Sequence, residues 1–256
     1  MDTNIGLGNT IEKAYDDLVH PSAKRIGEIV SLLPRAIGVA LTPLEKYVLN
    51  GEYSLKATKK LLEEKLKDVD PEQIKTPEAY VAVPALQAIV YTTDNETLRD
   101  LFANLLAKAM QKDTADTVHP AFVEIIKQLS PDDAYTLKCF KNSHNLPIVN
   151  ICGNPPAEME KVSGFSNVHI VLHQNVFIAN SEIGDIGRQS TSITSLDRLG
   201  LVDISFDGSS LTTSYDEFEN LEIFKNSFSN VMRKVYIEKG RACLNPFGEA
   251  FINVCL

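Results

Sequence analysis

Two histidines four residues apart, His169 and His173, are a pair whose type and spacing suggest chemistry. On a helix, H-x-x-x-H puts both imidazoles on one face, where a zinc ion could bridge them. The local pattern points elsewhere. Val168, Ile170 and Leu172 alternate with His169, Val171 and His173, which predicts a strand. Residues four apart on a strand are separated by about 13 Å, whereas zinc ligands sit at about 2 Å from the metal. No Cys, Asp or Glu lies nearby with ligand spacing, so no metal site is expected.

His119 could serve as an acid, a base or a binding residue, with Glu124 and Lys127 close in sequence. The plainer reading is preferred: His119-Pro120 fixes the entry to a helix, and His119 lies near its N-cap. Glu124 and Lys127 then fall on the solvated face, where a partner could bind. Ser190, Thr191, Ser192, Thr194 and Ser195 precede Arg198, and clustered hydroxyls can contact phosphates. No G-x-S-x-G elbow accompanies them, so they read as a helix start with polar caps. Arg233, Lys234, Lys239 and Arg241 are the basic concentration of the second half. On a wing hairpin they, with Arg198, could touch a nucleic-acid backbone; Glu238 and the acidic run DEFENLE oppose this. Gly6-Leu7-Gly8 lacks a third glycine and follows no strand, and no Walker A sequence occurs. No catalytic constellation is recognised, and no cofactor is expected.

Several helices must position these residues. Leu98, Leu101, Phe102, Leu105, Leu106, Ala109 and Met110 recur at helical spacing behind Thr93 and Glu96, which are placed as a capping box. Pro120 suits the start of the next helix, whose apolar face is Phe122, Val123, Ile125, Ile126 and Leu129. Ser130 caps a third, with Pro131 at its start and Asp132 and Asp133 in its first turn, where the helix dipole favours negative charge. Earlier, residues 11–19 read as a short helix. Residues 21–49 form a longer apolar stretch kinked or broken near Pro34 and Pro43. Residues 54–69 make a charged helix with a thin apolar stripe.

The pattern changes after Asn145. The stretch NLPIVNICGNPPAEMEKVSGFSN contains helix breakers and no sustained period, and is the candidate boundary. Beyond it come a strand around Ile170, a helix around Ile193 ended by Gly200, and a hairpin from LVDISF through Asp207-Gly208 to SLTT. A helix is expected over residues 218–231, a strand pair in VYIEKGRACLN, and a closing helix in PFGEAFINVC. The expected fold is α+β, mainly α: an N-terminal helical bundle over residues 1–145, followed by a smaller winged-helix-like α+β module over residues 146–256.

The combination LRDLFANLLAKAM, a short polar gap, then HPAFVEIIKQLSPDDA resembles the Abi-alpha family, a bacterial group named for abortive phage infection. YVAVPALQAI upstream, and SLDRLGLVDI and LNPFGEAFINVC downstream, extend the resemblance. It implies a bacterial origin and a link to phage defence. It brings no catalytic residues.

Composition narrows the function further. The 256 residues carry a net charge of −9, which disfavours broad nonspecific nucleic-acid binding. Four cysteines with no C-x-x-C pair fit reduced thiols in a cytoplasmic protein. The first residues show no charged start followed by an apolar run, so no signal peptide is expected. The most apolar stretch, IGEIVSLLPRAIGVALTPL, is broken by Glu28, Pro34 and Arg35, and falls short of the roughly 20 apolar residues of a membrane span. The leading expectation is a cytoplasmic, defence-associated protein acting through protein partners. The alternatives are a winged-helix DNA-binding regulator, an effector that perturbs membranes with residues 26–44, and an enzyme of unrecognised type.

Overall fold

The computed structural model describes residues 26–43, 51–91, 95–158, 169–207, 215–222 and 232–256. Their helices and strands run α1 (Ile26–Leu41), α2 (Gly51–Lys65), α3 (Ala79–Tyr91), α4 (Glu96–Ala109), α5 (Ala121–Gln128), α6 (Pro131–Lys138), β1 (Asn145–Asn154), β2 (Ile170–Val176), α7 (Ile186–Arg198), β3 (Val202–Ser205), α8 (Asp216–Glu219), β4 (Lys234–Leu244) and α9 (Pro246–Cys255). The fold is α+β. Helices come first, and no strand precedes Asn145 among the described residues. The four strands form one antiparallel sheet in the order β2-β1-β4-β3. No helix among the described residues is long and apolar enough to cross a membrane.

Local chemistry sets the helix ends. α4 is capped by Asn95, whose side chain accepts from Leu98 N at 3.0 Å; this cap replaces the expected Thr93–Glu96 box, and Thr93 lies outside the described residues. At α6, Ser130 Oγ accepts from Asp133 N at 3.1 Å while Asp133 Oδ2 accepts from Ser130 N at 2.8 Å, a reciprocal capping box. α7 ends as expected at Gly200, with φ +70. Leu201 N donates to Leu196 O at 3.0 Å and Gly200 N to Asp197 O at 2.9 Å, the paired bonds of a Schellman motif.

Several expectations change. α1 is continuous through Pro34. The proline removes one backbone donor, and Ile37, Ala40 and Leu41, buried just beyond it, hold the turn in the core. The breaker-rich stretch after Asn145 contains β1, which pairs with both β2 and β4. Its residues 148–153 are buried on both faces, so the strand shows no alternation to read. VYIEKGRACL lies in one continuous strand, β4, where a pair was expected, and Asn245 caps α9. β3 pairs with β4; the expected local hairpin arm, SLTT, lies outside the described residues. So do the helix at 11–19, Gly6 to Gly8, and most of the helix expected at 218–231.

The sheet is packed on both faces. Ile148, Val202 and Ala242 point to the helices and share one core with Leu101, Phe102, Leu105, Phe122, Ile125, Ile126, Leu129 and Phe251. This core therefore draws on residues from both sides of Asn145. Alternate strand residues point the other way: Val149, Ile151 and Val176 pack with Tyr215 and Phe218. α9 lies against α4, where Asn104 Nδ2 donates to Cys255 O at 2.8 Å. Its first turn touches backbone: a Cβ on Gly248 would sit 2.0 Å from Leu201 O. Only glycine permits that approach.

Candidate partner surface

α5 carries the first group of candidate residues. Pro120 has no side-chain donor or acceptor to cap it. His119 supplies one: its Nδ1 accepts from Ala121 N at 3.1 Å. The imidazole also meets the Phe247 ring edge-on at 5.4 Å and 87°, and Phe122 at 5.7 Å. His119 thus holds the helix entry, as the plainer reading expects, and ties it to α9. Phe122, Val123, Ile125 and Ile126 are buried, so α5 has one fixed inner face. Glu124, Lys127 and Gln128 are exposed on the other. Lys127 Nζ reaches both Glu124 carboxylate oxygens, at 3.0 and 2.9 Å.

Arg198 belongs to this surface. Its Nη1 donates to Gln128 Oε1 at 3.2 Å across 70 residues of sequence. The structure thereby gathers Arg198 with Glu124 and Lys127, and separates it from the basic residues of β4. Those four are divided. By strand alternation Lys239 and Arg241 share one face of the sheet and Lys234 takes the other. Lys239 Nζ lies 5.2 Å over the Tyr215 ring, and Lys234 Nζ 5.9 Å from Tyr236. Arg241 Nη2 pairs with Asp207 Oδ2 at 3.0 Å. Arg233 N donates to Asn154 O at 2.9 Å, and its side chain is exposed. His173 lies within β2, with His169 immediately before that strand, so neither sits on a helical H-x-x-x-H face.

The hydroxyl-rich segment takes a different place from the one expected. Asp185 starts α7, its Oδ1 accepting from Arg188 N at 2.7 Å. The run 190–195 is mid-helix. Thr191 and Thr194 donate back to Gly187 O and Ser190 O at 2.9 and 2.7 Å. Ser192 and Ser195 face α6.

Between α6 and α7 runs a buried polar seam that sequence reasoning missed. Ser192 Oγ donates to Thr136 Oγ1 at 2.8 Å, and Asn180 Nδ2 donates to the same oxygen at 3.2 Å. Asn180 N donates to Gln189 Oε1 at 3.1 Å, and Gln189 Nε2 to Ile183 O at 2.6 Å. Ser195 Oγ donates to Asp133 Oδ2 at 3.1 Å. At the rim, Arg188 grips Asp132 through two bonds of 2.7 and 2.6 Å. The signal was the spacing of Gln189, Ser192, Ile193 and Leu196, a helical stripe whose polar half an apolar-only search discards. An open groove of about 350 Å³ lies over this seam. Its carboxylates are engaged in the Arg188 pair, the α7 cap and the α6 box, so they hold helices in place.

The thiols are free and spread out. Burial pushes Cys139, Cys152 and Cys243 up, and pushes Cys255 well up. They stay protonated at neutral pH, the less nucleophilic form.

A family model described as abortive infection alpha matches residues 50–255. The chain belongs to the abortive infection alpha family. The match runs from just before α2 to the last residue of α9, so in this family member it takes in the α4–α6 helices, the sheet and the α5 surface together. No curated protein and no solved structure matches the chain.

Proposed function

We propose that this protein serves in phage defence by docking a protein partner on the outer face of α5, within the bacterial cytoplasm. The observation that carries the reading is the joining of Arg198 to Gln128 beside the Glu124–Lys127 pair. Two elements far apart in sequence present one mixed-charge surface on a rigid base. A surface that carries the Glu124–Lys127 ion pair and the Arg198–Gln128 bond matches a protein face of mixed sign better than a row of phosphates. The order α7, β3, α8, β4, α9, with β3 antiparallel to β4, is compatible with a winged-helix-like module, a kind of fold whose function is decided by its site and not by the fold alone. Family membership supplies the abortive-infection context.

The test is phage plaquing efficiency on cells carrying the whole locus, with the intact gene or with Glu124→Arg, Lys127→Glu or Arg198→Glu. All three sites are exposed, so thermal melts are expected to match the intact protein. Loss of protection with an unchanged melt supports the docking face. Full protection by all three variants overturns it. Equal plaquing with and without the intact gene, across a broad phage panel, overturns the defence role itself.

A further inference from the structure

Asn175 is the one non-glycine residue with positive φ among the described residues, at +54. It lies in β2, where the ladder to β1 slips. Val149 pairs with Val176 and Ile151 with His173, so three steps on β2 meet two on β1. The left-handed residue of such a bulge is usually glycine, which takes that conformation without steric strain. Asn175 is also buried, at 7% exposure, and its Oδ1 has no hydrogen-bond partner among the described residues. A strained backbone and an unpaired buried acceptor both cost stability, and such costs gather where the side chain has a further use.

The use is legible in the hydrogen bonds around Asn175, which run from β4 through β1 and β2 to α7. Asn150 Nδ2 donates to Glu238 Oε2 at 2.8 Å, and Asn175 N donates to Asn150 Oδ1 at 3.0 Å. Asn175 Nδ2 then donates to Thr194 Oγ1 at 3.0 Å. The direction of this last bond is fixed, because the one Thr194 hydroxyl proton goes to Ser190 O at 2.7 Å and leaves Oγ1 as an acceptor. Thr194 thus ties α7 to β2. On its other sides α7 is tied to β3, where Ile204 N donates to Asp197 Oδ1 at 3.1 Å, to α6 by the polar seam, and to α5 by Arg198. Glycine at 175 would relax the backbone and delete the β2 tie.

We propose that Asn175 is a positioning residue: its amide sets α7, and with it Arg198 one helical turn beyond Thr194, against α5. The consequence for docking rests on the reading of the α5 face given above; the placing of α7 does not.

Amide hydrogen exchange on the full chain tests the placing directly. Asn175→Gly and Thr194→Val each remove the tie, and Thr194→Ser keeps the hydroxyl. Amides of residues 193–199 are expected to exchange about two- to tenfold faster in the first two variants, the equivalent of one lost hydrogen bond. They are expected to keep the wild-type rate in Thr194→Ser, and the amides of α4 to keep it in all three. The melting temperature of Asn175→Gly is expected to stay within about 3 °C of the intact chain, since relief of the backbone and loss of the orphaned Oδ1 offset the lost bond. Unchanged exchange in α7 overturns the proposal, and so does an equal acceleration of α4 and α7, the mark of general destabilisation. Should Asn175→Gly not fold, the exposed Thr194→Val and Thr194→Ser pair decides by the same criteria. Phage protection is expected to fall in Asn175→Gly and Thr194→Val and to hold in Thr194→Ser. Full protection beside faster α7 exchange overturns the link from Asn175 to docking, whereas failure of the docking face itself shows as full protection in Glu124→Arg, Lys127→Glu and Arg198→Glu.

Discussion

His119 and Phe247 meet edge to face, with ring centroids 5.4 Å apart. The first opens α5 and the second lies in the opening turn of α9, so the contact ties the helical segment to the end of the chain. Phe122 extends it, 5.3 Å from Phe247 and 5.3 Å from Phe251. Aromatic clusters of this geometry add to the energy of simple burial.

Phe122 and Phe251 are fully buried in that cluster. Phe122→Ala and Phe251→Ala should each destabilise the protein by about 3–5 kcal/mol. The shared core further implies that the described segments on either side of Asn145 unfold together. Calorimetry of the intact chain should show one transition. Two resolved transitions would mean that residues 1–145 and 146–256 behave as separate units.

Thr136 accepts two hydrogen bonds inside the seam. Thr136→Val keeps the shape but leaves Ser192 and Asn180 without their shared acceptor. The expected cost is about 1–3 kcal/mol by denaturant titration. Adding Ser192→Ala to Thr136→Val removes one orphaned hydroxyl, so the double variant should cost less than the two single changes summed. Strict additivity would place the two side chains out of contact.

Gly200 sits at φ +70, and nothing lies within 4 Å of the place a Cβ would take. Steric crowding is therefore absent, and only backbone conformation resists a side chain. Gly200→Ala should cost about 1–2 kcal/mol, and Gly200→Asn less, because Asn tolerates the left-handed region. Equal stability of all three in thermal melts would contradict the Schellman ending of α7.

Burial raises the Cys255 thiol well above its ordinary value of 9.0. Folding thus favours the protonated form. The resulting stability is complete below the pKa of the unfolded chain and is lost as pH rises from there toward the folded value. The melting temperature should therefore fall more steeply above about pH 9 for the intact protein than for Cys255→Ala. Parallel pH profiles would show that the thiol is accessible. Thiol reagents at neutral pH should likewise modify Cys255 slowest of the four cysteines.

What the sequence determined by itself was carried by local physics. The stripe in α4, Ser130 and Pro131 at α6, Gly200 after α7 and Pro246 at α9 each act within a few residues of themselves, so their effect can be read in order along the chain. The core membership of Phe102 and Phe122 follows from the same periodicity. His119 as a helix-entry residue is local too, since its bond is to Ala121 N. Tertiary structure decided the rest. β1 is buried on both faces by partners from distant sequence, which erases the alternation that marks a strand. β4 is a single strand because β1 and β3 pair along it, a fact no window around Gly240 contains. Arg198 joins α5 only because α7 packs beside it, 70 residues away. The seam of Thr136, Asn180, Gln189 and Ser192 is polar at every position, and polar residues look solvated until a second helix brings their partners. Sequence patterns report which face is apolar; which polar groups find one another depends on how the faces are brought together.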